Sequence, residues 1–199
     1  MSVPDYSFEN AAPFQPVCGV DEAGRGPWAG PVVAGAAILN VATAPAGLND
    51  SKALSAAKRE VLFDALQGQI IGVGIASVEE IDQLNILNAT YLAMLRAVAA
   101  LSVAPAYALI DGNRIPPDLP CPAEAVVKGD ARSLSIAAAS IVAKVTRDRI
   151  MSDLALEFPG YGWERNAGYG VPAHADALKQ LGVTPHHRRS FKPIHKMLC

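Results

Sequence analysis

Two adjacent acids, Asp21 and Glu22, close the apolar run Val17-Cys18-Gly19-Val20 and are followed by Ala23-Gly24-Arg25-Gly26-Pro27. Carboxylates buried without partners are costly, so a strand running out into a polar turn is the ordinary account. The glycines change its weight, because they let a ligand approach the backbone, whose N–H groups can hold an anion or a hydroxyl. Strict alternation sends Asp21 and Glu22 to opposite faces. Both reach one site only if the strand breaks at Glu22, and Ala23-Gly24 offers such a break. Another acid ends an apolar run at Leu109-Ile110-Asp111-Gly112-Asn113, the strand end at which α/β sheets gather ligands, although a plain Asp-Gly turn has the same look. Asp130, in Lys128-Gly129-Asp130, stands ahead of a long helical pattern, where the helix dipole favours an acid with no further role. Together these are four carboxylates at the ends of three expected strands. Oxygen donors of this kind suit hard divalent ions and two-metal phosphoryl-transfer sites, but spacing alone does not prove that they converge. The histidines and cysteines lack zinc spacing, and neither a Gly-x-Ser-x-Gly elbow nor a Walker loop is present.

The elements that must carry these residues follow from periodicity. Residues 1–16, rich in Pro and Ala, read as a loose N-terminal arm. A strand from Val17 and a β-rich run from Pro31 to Leu39, joined by a Gly/Pro turn, predict a hairpin. A loop over 40–54, a helix from about Ser55 to Leu66 and a strand from Gln69 to Ala76 follow. Ser77 with Glu80 makes a capping box that opens a helical stretch, in one or two pieces, to about Leu101. Short strands at Tyr107 to Ile110 and Ala123 to Lys128 precede the longest helical pattern, from about Ser133 to Glu157. A Gly/Pro/aromatic loop over 159–172, a helix from about Ala173 to Leu181 and a basic tail complete the chain. The pattern predicts a single α/β domain over 17–199, a mixed sheet flanked by helices with a helical C-terminal segment from about residue 160.

The run Asp21-Glu22-Ala23-Gly24-Arg25-Gly26-Pro27-Trp28-Ala29-Gly30-Pro31-Val32-Val33 closely resembles the opening signature of bacterial ribonuclease HII. Leu48-Asn49-Asp50-Ser51-Lys52, Ile110-Asp111-Gly112-Asn113, Lys128-Gly129-Asp130, the run Ala138 to Asp148, and His187-Arg188-Arg189-Ser190-Phe191 resemble that family in its own order. The ordered set covers about Val17 to Lys196. The resemblance implies a ribonuclease H-like fold and an endonuclease that hydrolyses the RNA strand of RNA–DNA hybrids. It further implies incision 5′ of ribonucleotides embedded in duplex DNA, by a two-metal mechanism with Mg²⁺ or Mn²⁺ that leaves 5′-phosphate and 3′-hydroxyl ends. By motif match, Asp21, Glu22, Asp111 and Asp130 are its catalytic, metal-binding carboxylates. Gly24, Arg25 and Gly26 match the segment that senses the 2′-hydroxyl, and Tyr169 matches a tyrosine that packs on the sugar of the adjoining deoxynucleotide. Asn49, Ser51 and Lys52 match a loop that contacts the nucleic-acid backbone. Ser140, Lys144 and Arg147, at i, i+4 and i+7, set one helix face toward phosphates, and Arg188, Arg189 and Lys192 form a second basic patch. From spacing alone, a solvated face is the better account of the helix, and a solubilising end is an alternative account of the tail. The chain departs from the family pattern at Trp28, at Ala53, at Val171-Pro172 and in Arg132-Ser133-Leu134-Ser135, none of them among the four acids.

Composition narrows the alternatives. The chain has 199 residues, a formal net charge of −2 and 51% apolar content, which excludes a disordered chain and leaves length for a sizeable core. Near-neutrality argues against a generic nucleic-acid coat, but residues 177–199 carry a local +5 with no acid. No apolar run approaches the roughly 20 residues of a membrane helix, and no secretory signal is visible at the start. Cys18, Cys121 and Cys199 cannot all pair and read as packing or surface residues. The expectation is therefore a cytoplasmic, monomeric enzyme that binds nucleic acid and no membrane. A ribonuclease H-like nuclease of DNA leaves Gly24-Arg25-Gly26 without a role, and a non-catalytic hybrid-binding module predicts the loss of a carboxylate, yet all four are present.

Overall fold

The computed structural model describes residues 3–198. Five strands form one sheet in the order β3-β2-β1-β4-β5: β1 (Val17–Ala23), β2 (Val32–Ile38), β3 (Ile70–Ala76), β4 (Tyr107–Asp111) and β5 (Ala123–Val126). The expected hairpin is present, with Asp21 opposite Gly35 and Glu22 opposite Ala34. β2 and β3 are also antiparallel, whereas β1–β4 and β4–β5 are parallel. The helices are α1 (Ser7–Ala11), α2 (Ala56–Leu66), α3 (Val78–Ala99), α4 (Leu134–Glu157), α5 (Trp163–Asn166), α6 (Pro172–Leu181) and α7 (Lys192–Leu198). Among the described residues no helix is long and apolar enough to cross a membrane.

The pleat assigns the two faces. Cys18, Val20 and Ile110 join the core under α3, while Val17 and Leu109 pack with Ile136 of α4. By the same alternation Asp21 and Asp111 lie on the α4 face and Glu22 on the α3 face. Small residues bring α4 close: a Cβ on Gly19 would collide with the backbone of Ser135 and Ile136, and one on Gly35 with that of Ala139. Ala137, Ala138 and Ala139 meet the sheet there fully buried. This approach carries Ser140 to the level of Asp21.

The capping box forms both of its bonds, Glu80 N–H donating to Ser77 Oγ (3.2 Å) and Ser77 N–H to Glu80 Oε2 (2.9 Å). α3 is kinked at Asn85, at φ 67° and ψ 163°, where Asn85 Oδ1 accepts from Leu87 N–H and caps the second piece. β5 stops at Val126 rather than Lys128, because Lys128 turns left-handed (φ 56°) into a 3-10 turn over Gly129–Ala131. The expected 159–172 loop contains α5, and the basic tail ends in α7. Cys18 is buried, its thiol pushed up to about 12 chiefly by that burial, and Cys121 is half-buried; Cys199 lies outside the described residues.

The N-terminal segment is not a loose arm. Pro4 and Glu9 are buried, Tyr6 donates to Leu39 O (2.9 Å), and Asp5 N–H donates to Arg132 O (3.1 Å). Glu9 Oε1 accepts from Ser133 Oγ (2.6 Å) and from Ser135 N–H (2.8 Å). It thereby satisfies a free donor in the first turn of α4 and places a carboxylate at the positive end of the helix. Composition could not reveal this, since the partners lie more than 120 residues away. Glu9→Ala is expected to lower stability by about 1–3 kcal/mol, read as a lower urea midpoint; an unchanged midpoint would show that the docking adds nothing.

Candidate metal centre and nucleic-acid face

Three of the four expected acids converge. One carboxylate oxygen from each of Asp21, Asp111 and Asp130 lies within 4.8 Å of the others. Each is aimed by an identifiable contact. Asp21, 4% exposed, accepts from Glu22 N–H (2.7 Å) and is hydrogen-bonded by Ser140. Asp111 Oδ1 accepts from Gly129 N–H (2.7 Å), which ties the end of β4 to the turn that bears Asp130. Glu22 stays outside the group. β1 does not break at Glu22 but runs on to Ala23, so alternation holds and the Glu22 carboxylate meets Arg25 instead, at 3.3 Å.

The electrostatics are those of crowded acids. Burial, reinforced by Glu22 and Asp111, holds the Asp21 carboxyl well above the usual carboxylate range. Asp130 is pushed up to about 6 by burial, then by Asp111 and Asp50. Glu22 is raised by burial against the opposing pull of Arg25. Burial works against the Lys52 ammonium, yet Asp21, Asp50, Asp130 and Asp111 together raise its pKa. An all-oxygen donor set at this spacing, with Asp21 and Asp130 raised by burial and by neighbouring acids, fits a hard divalent cation.

The loop ahead of α2 supplies Lys52. Asp50 caps its 3-10 turn, accepting from Lys52 N–H (2.8 Å), and Arg59 donates to the carbonyls of Ser51 and Leu54. Ser51 is buried with its hydroxyl 2.8 Å from that of Ser140. Ser140 in turn hydrogen-bonds Asp21, and Ser51 also lines the cavity beside Gly26, Lys52 and Tyr169. Asn49 is half-buried and Lys52 exposed. Asp50, which hydrogen-bonds Asp130, was not singled out from sequence, although an Asp two residues before a Lys in a capped turn was the available signal. Lys144 is half-buried and paired with Asp148 at 2.6 Å.

The exposed turn at Arg25-Gly26 is clamped from below by two buried arginines. Arg188 donates from Nε to Gly30 O (2.9 Å), from Nη1 to Arg25 O (3.0 Å), and from Nη2 to Gly24 O (2.6 Å) and Pro31 O (3.1 Å). Arg147 donates to the carbonyls of Pro31, Ala29 and Ala167. Arg188, expected to contact substrate, is 0% exposed and Arg147 1%. With their donors spent on backbone carbonyls, neither is a phosphate contact. Burial lowers Arg147 to about 10, and burial with Arg147 alongside lowers Arg188 to about 9. Gly24, at φ +100°, permits this geometry, since a Cβ there would strike the Arg147 side chain.

Tyr169 is 45% exposed, and its ring stands 3.5 Å from where a Gly26 Cβ would be. Its backbone is held by a buried relay. His187 Nδ1 accepts from Thr184 N–H (3.0 Å), which leaves the proton on Nε2 to donate to His174 Nε2 (3.1 Å). His174 Nδ1–H in turn donates to Tyr169 O (2.9 Å). Both rings are kept neutral by burial, His187 down to about 4. Trp28 covers Gly170, where any Cβ would meet its indole.

A mixed sheet that gathers aspartates from the ends of β1 and β4 and from the turn after β5 defines a metal-dependent hydrolase of the ribonuclease H-like class. The sequence profile described as Ribonuclease HII matches residues 18–194. The chain is 62% identical over 202 residues to Ribonuclease HII of Ruegeria pomeroyi, covering all of this chain and 86% of that one. It is 60% identical over 203 residues to Ribonuclease HII of Paracoccus denitrificans, covering all of this chain and 97% of that one. The crystal structure of ribonuclease H2 from Pyrococcus horikoshii OT3 superposes with a TM-score of 0.75 at 30% identity, covering 91% of this chain and 96% of that one. The chain belongs to the ribonuclease HII family. It is accordingly a divalent-metal-dependent endoribonuclease of the ribonuclease H kind, acting on RNA–DNA hybrids.

Metal binding must displace protons from acids whose pKa values are raised. Calorimetry is expected to show Mg²⁺ affinity rising with pH through about 6, the Asp130 value, with protons released on binding. The sign for the metal-free fold is opposite: an acid whose folded pKa lies above its unfolded one loses stability as pH rises between the two. Asp21→Asn is therefore expected to abolish tight metal binding and raise the metal-free melting midpoint by about 2–4 °C. A lowered midpoint with metal affinity retained would contradict the assignment.

Proposed function

We propose that the chain incises duplex DNA on the 5′ side of embedded ribonucleotides, as well as cutting the RNA strand of hybrids, and leaves 3′-hydroxyl and 5′-phosphate ends. The observation that carries this reading is the trio Asp21, Asp111 and Asp130, with oxygens within 4.8 Å, beside an exposed Arg25-Gly26 turn. Asp21, Asp111 and Asp130 are the residues that would hold one Mg²⁺ or Mn²⁺ ion, and Glu22, which faces Arg25 and whose charge raises Asp21, would join them in holding a second. When bound, such ions supply Lewis acidity toward phosphate and a lowered pKa for an attacking water.

The chain's own residues position the substrate. In a trans peptide the C=O and N–H point in opposite directions. Arg188 draws the carbonyls of Gly24 and Arg25 inward, so the N–H groups of Arg25 and Gly26 face outward as donors. Donors fixed in this way suit a 2′-hydroxyl, the group that marks ribose. Tyr169 stands beside Gly26 to pack on the sugar of the next, 3′ nucleotide. Lys52 and Lys144, which line the same cavity as the turn, and Asn49 of the Lys52 loop serve as contacts to the sugar-phosphate backbone. Every residue invoked comes from one chain, so the reading needs no second copy.

An end-labelled DNA duplex with a single ribonucleotide tests the reading, incubated with Mg²⁺, Mn²⁺ or chelator. The expected product is a metal-dependent nick on the 5′ side of the ribose, with Tyr169→Ala lowering kcat/KM about tenfold on this substrate and less on long hybrids. Cleavage of long hybrids with none at the single ribonucleotide would overturn the roles given to the turn and to Tyr169.

A further inference from the structure

Two cavities meet at the ends of β1 and β4. One, of about 330 Å³, opens on the α4 side and holds Gly26, Lys52, Lys144 and Tyr169. The other, of about 320 Å³, opens on the α3 side between Tyr91 and the segment Asp111 to Arg114. Glu22 and Arg25 line both. The first is absorbed by the reading above, and the second has no role in it.

The second cavity sets an apolar and aromatic helix stripe against basic and amide side chains. The second piece of α3, capped by Asn85 after the kink, presents Leu87, Thr90, Tyr91 and Met94 at i, i+3, i+4 and i+7, one continuous stripe. Thr90 and Met94 are buried, and Tyr91 is half-buried with its ring along the wall. Opposite stand the exposed guanidiniums of Arg25 and Arg114 and the Asn113 amide. Arg114 makes no ion pair among the described residues. An aromatic wall facing a free guanidinium suits a sugar or base with a phosphate attached. The inner end is closed by Glu22 and Asp111, which the metal site takes up, so the unpaired Arg114 is the group left in this cavity for a further phosphate.

A strand whose ribonucleotide lies at Gly24–Gly26, with its 3′ neighbour at Tyr169, has its 5′ side beyond the acids, and the α3-side cavity, which shares Glu22 and Arg25 with the first, opens there. We propose that the cavity between α3 and the end of β4 is a subsite for the nucleotide 5′ of the scissile phosphate, with Arg114 holding that nucleotide's own 5′-phosphate and Tyr91 packing on its sugar or base. The inference rests on the incision reading above and extends it to the other side of the cut.

The test uses one duplex in which the cleaved strand begins a single deoxynucleotide upstream of the ribonucleotide, made with either a 5′-phosphate or a 5′-hydroxyl. Wild-type protein is expected to favour the phosphate form about tenfold in kcat/KM, and Arg114→Ala to bring that ratio near one. Tyr91→Ala is expected to raise KM on a longer strand about fivefold, and Tyr91→Phe, which keeps the ring, to restore it. A wild-type ratio near one, or an unchanged ratio in Arg114→Ala, overturns the subsite while the nick itself still supports the incision reading. If wild-type protein makes no nick at the ribonucleotide in either these or longer duplexes, both readings fall together.

Discussion

Three aspartates held within 4.8 Å of one another repel, and the rest of the structure is arranged around keeping them there. Each is fixed by something that cannot easily yield. Asp21 sits on the central strand, Asp111 is tied to the Gly129 N–H, and Asp130 rides on a 3-10 turn joined to α4. The close packing of α4 on Gly19 and Gly35 brings Ser140 to Asp21. Lys52 is the cation most clearly felt by the whole group. Such a cluster opposes folding, so its cost is met by burial elsewhere, in the alanine-rich interface of α4 and the core beneath α3.

The opposite charge is concentrated a short way off. Arg147 and Arg188 lie buried side by side, satisfied by backbone carbonyls and not by acids. Their work is geometric: they pull one edge of the Gly24–Pro31 segment inward and thereby turn the other edge outward. The C-terminal segment thus belongs to the site although it carries none of the acids. It contributes Arg188 to the turn, and through His187 and His174 it fixes the backbone of Tyr169. Acids for the chemistry and buried cations for the recognition turn divide the labour, the acids all preceding Arg147 and Arg188 in the chain.

Much of this was legible in the sequence. The strand-end acids stand out because apolar runs stop at them, and the β1–β2 hairpin and the Ser77–Glu80 box follow from local periodicity and capping. What was not legible depends on distant partners. Arg188 lies in a basic run that reads as solvated tail, and only the fold reveals the carbonyls that consume its donors. Glu9 looks like an acid in a loose arm until Ser133 and Ser135 come to meet it. The bond between the Ser51 and Ser140 hydroxyls, which links the loop before α2 to α4, has no local signal either. Glu22 is the instructive case: the pleat rule was sound, and the strand continues through it, so the convergence of three acids instead of four was already implied by alternation.

The central claim is that Asp21, Asp111 and Asp130 are one cation site. Crystals soaked in Mn²⁺ test it most directly, through anomalous scattering from the metal. The account predicts a peak bonded to oxygens of all three aspartates. A structure in which the peak lies elsewhere, or is bonded to fewer than all three at saturating Mn²⁺, would contradict it.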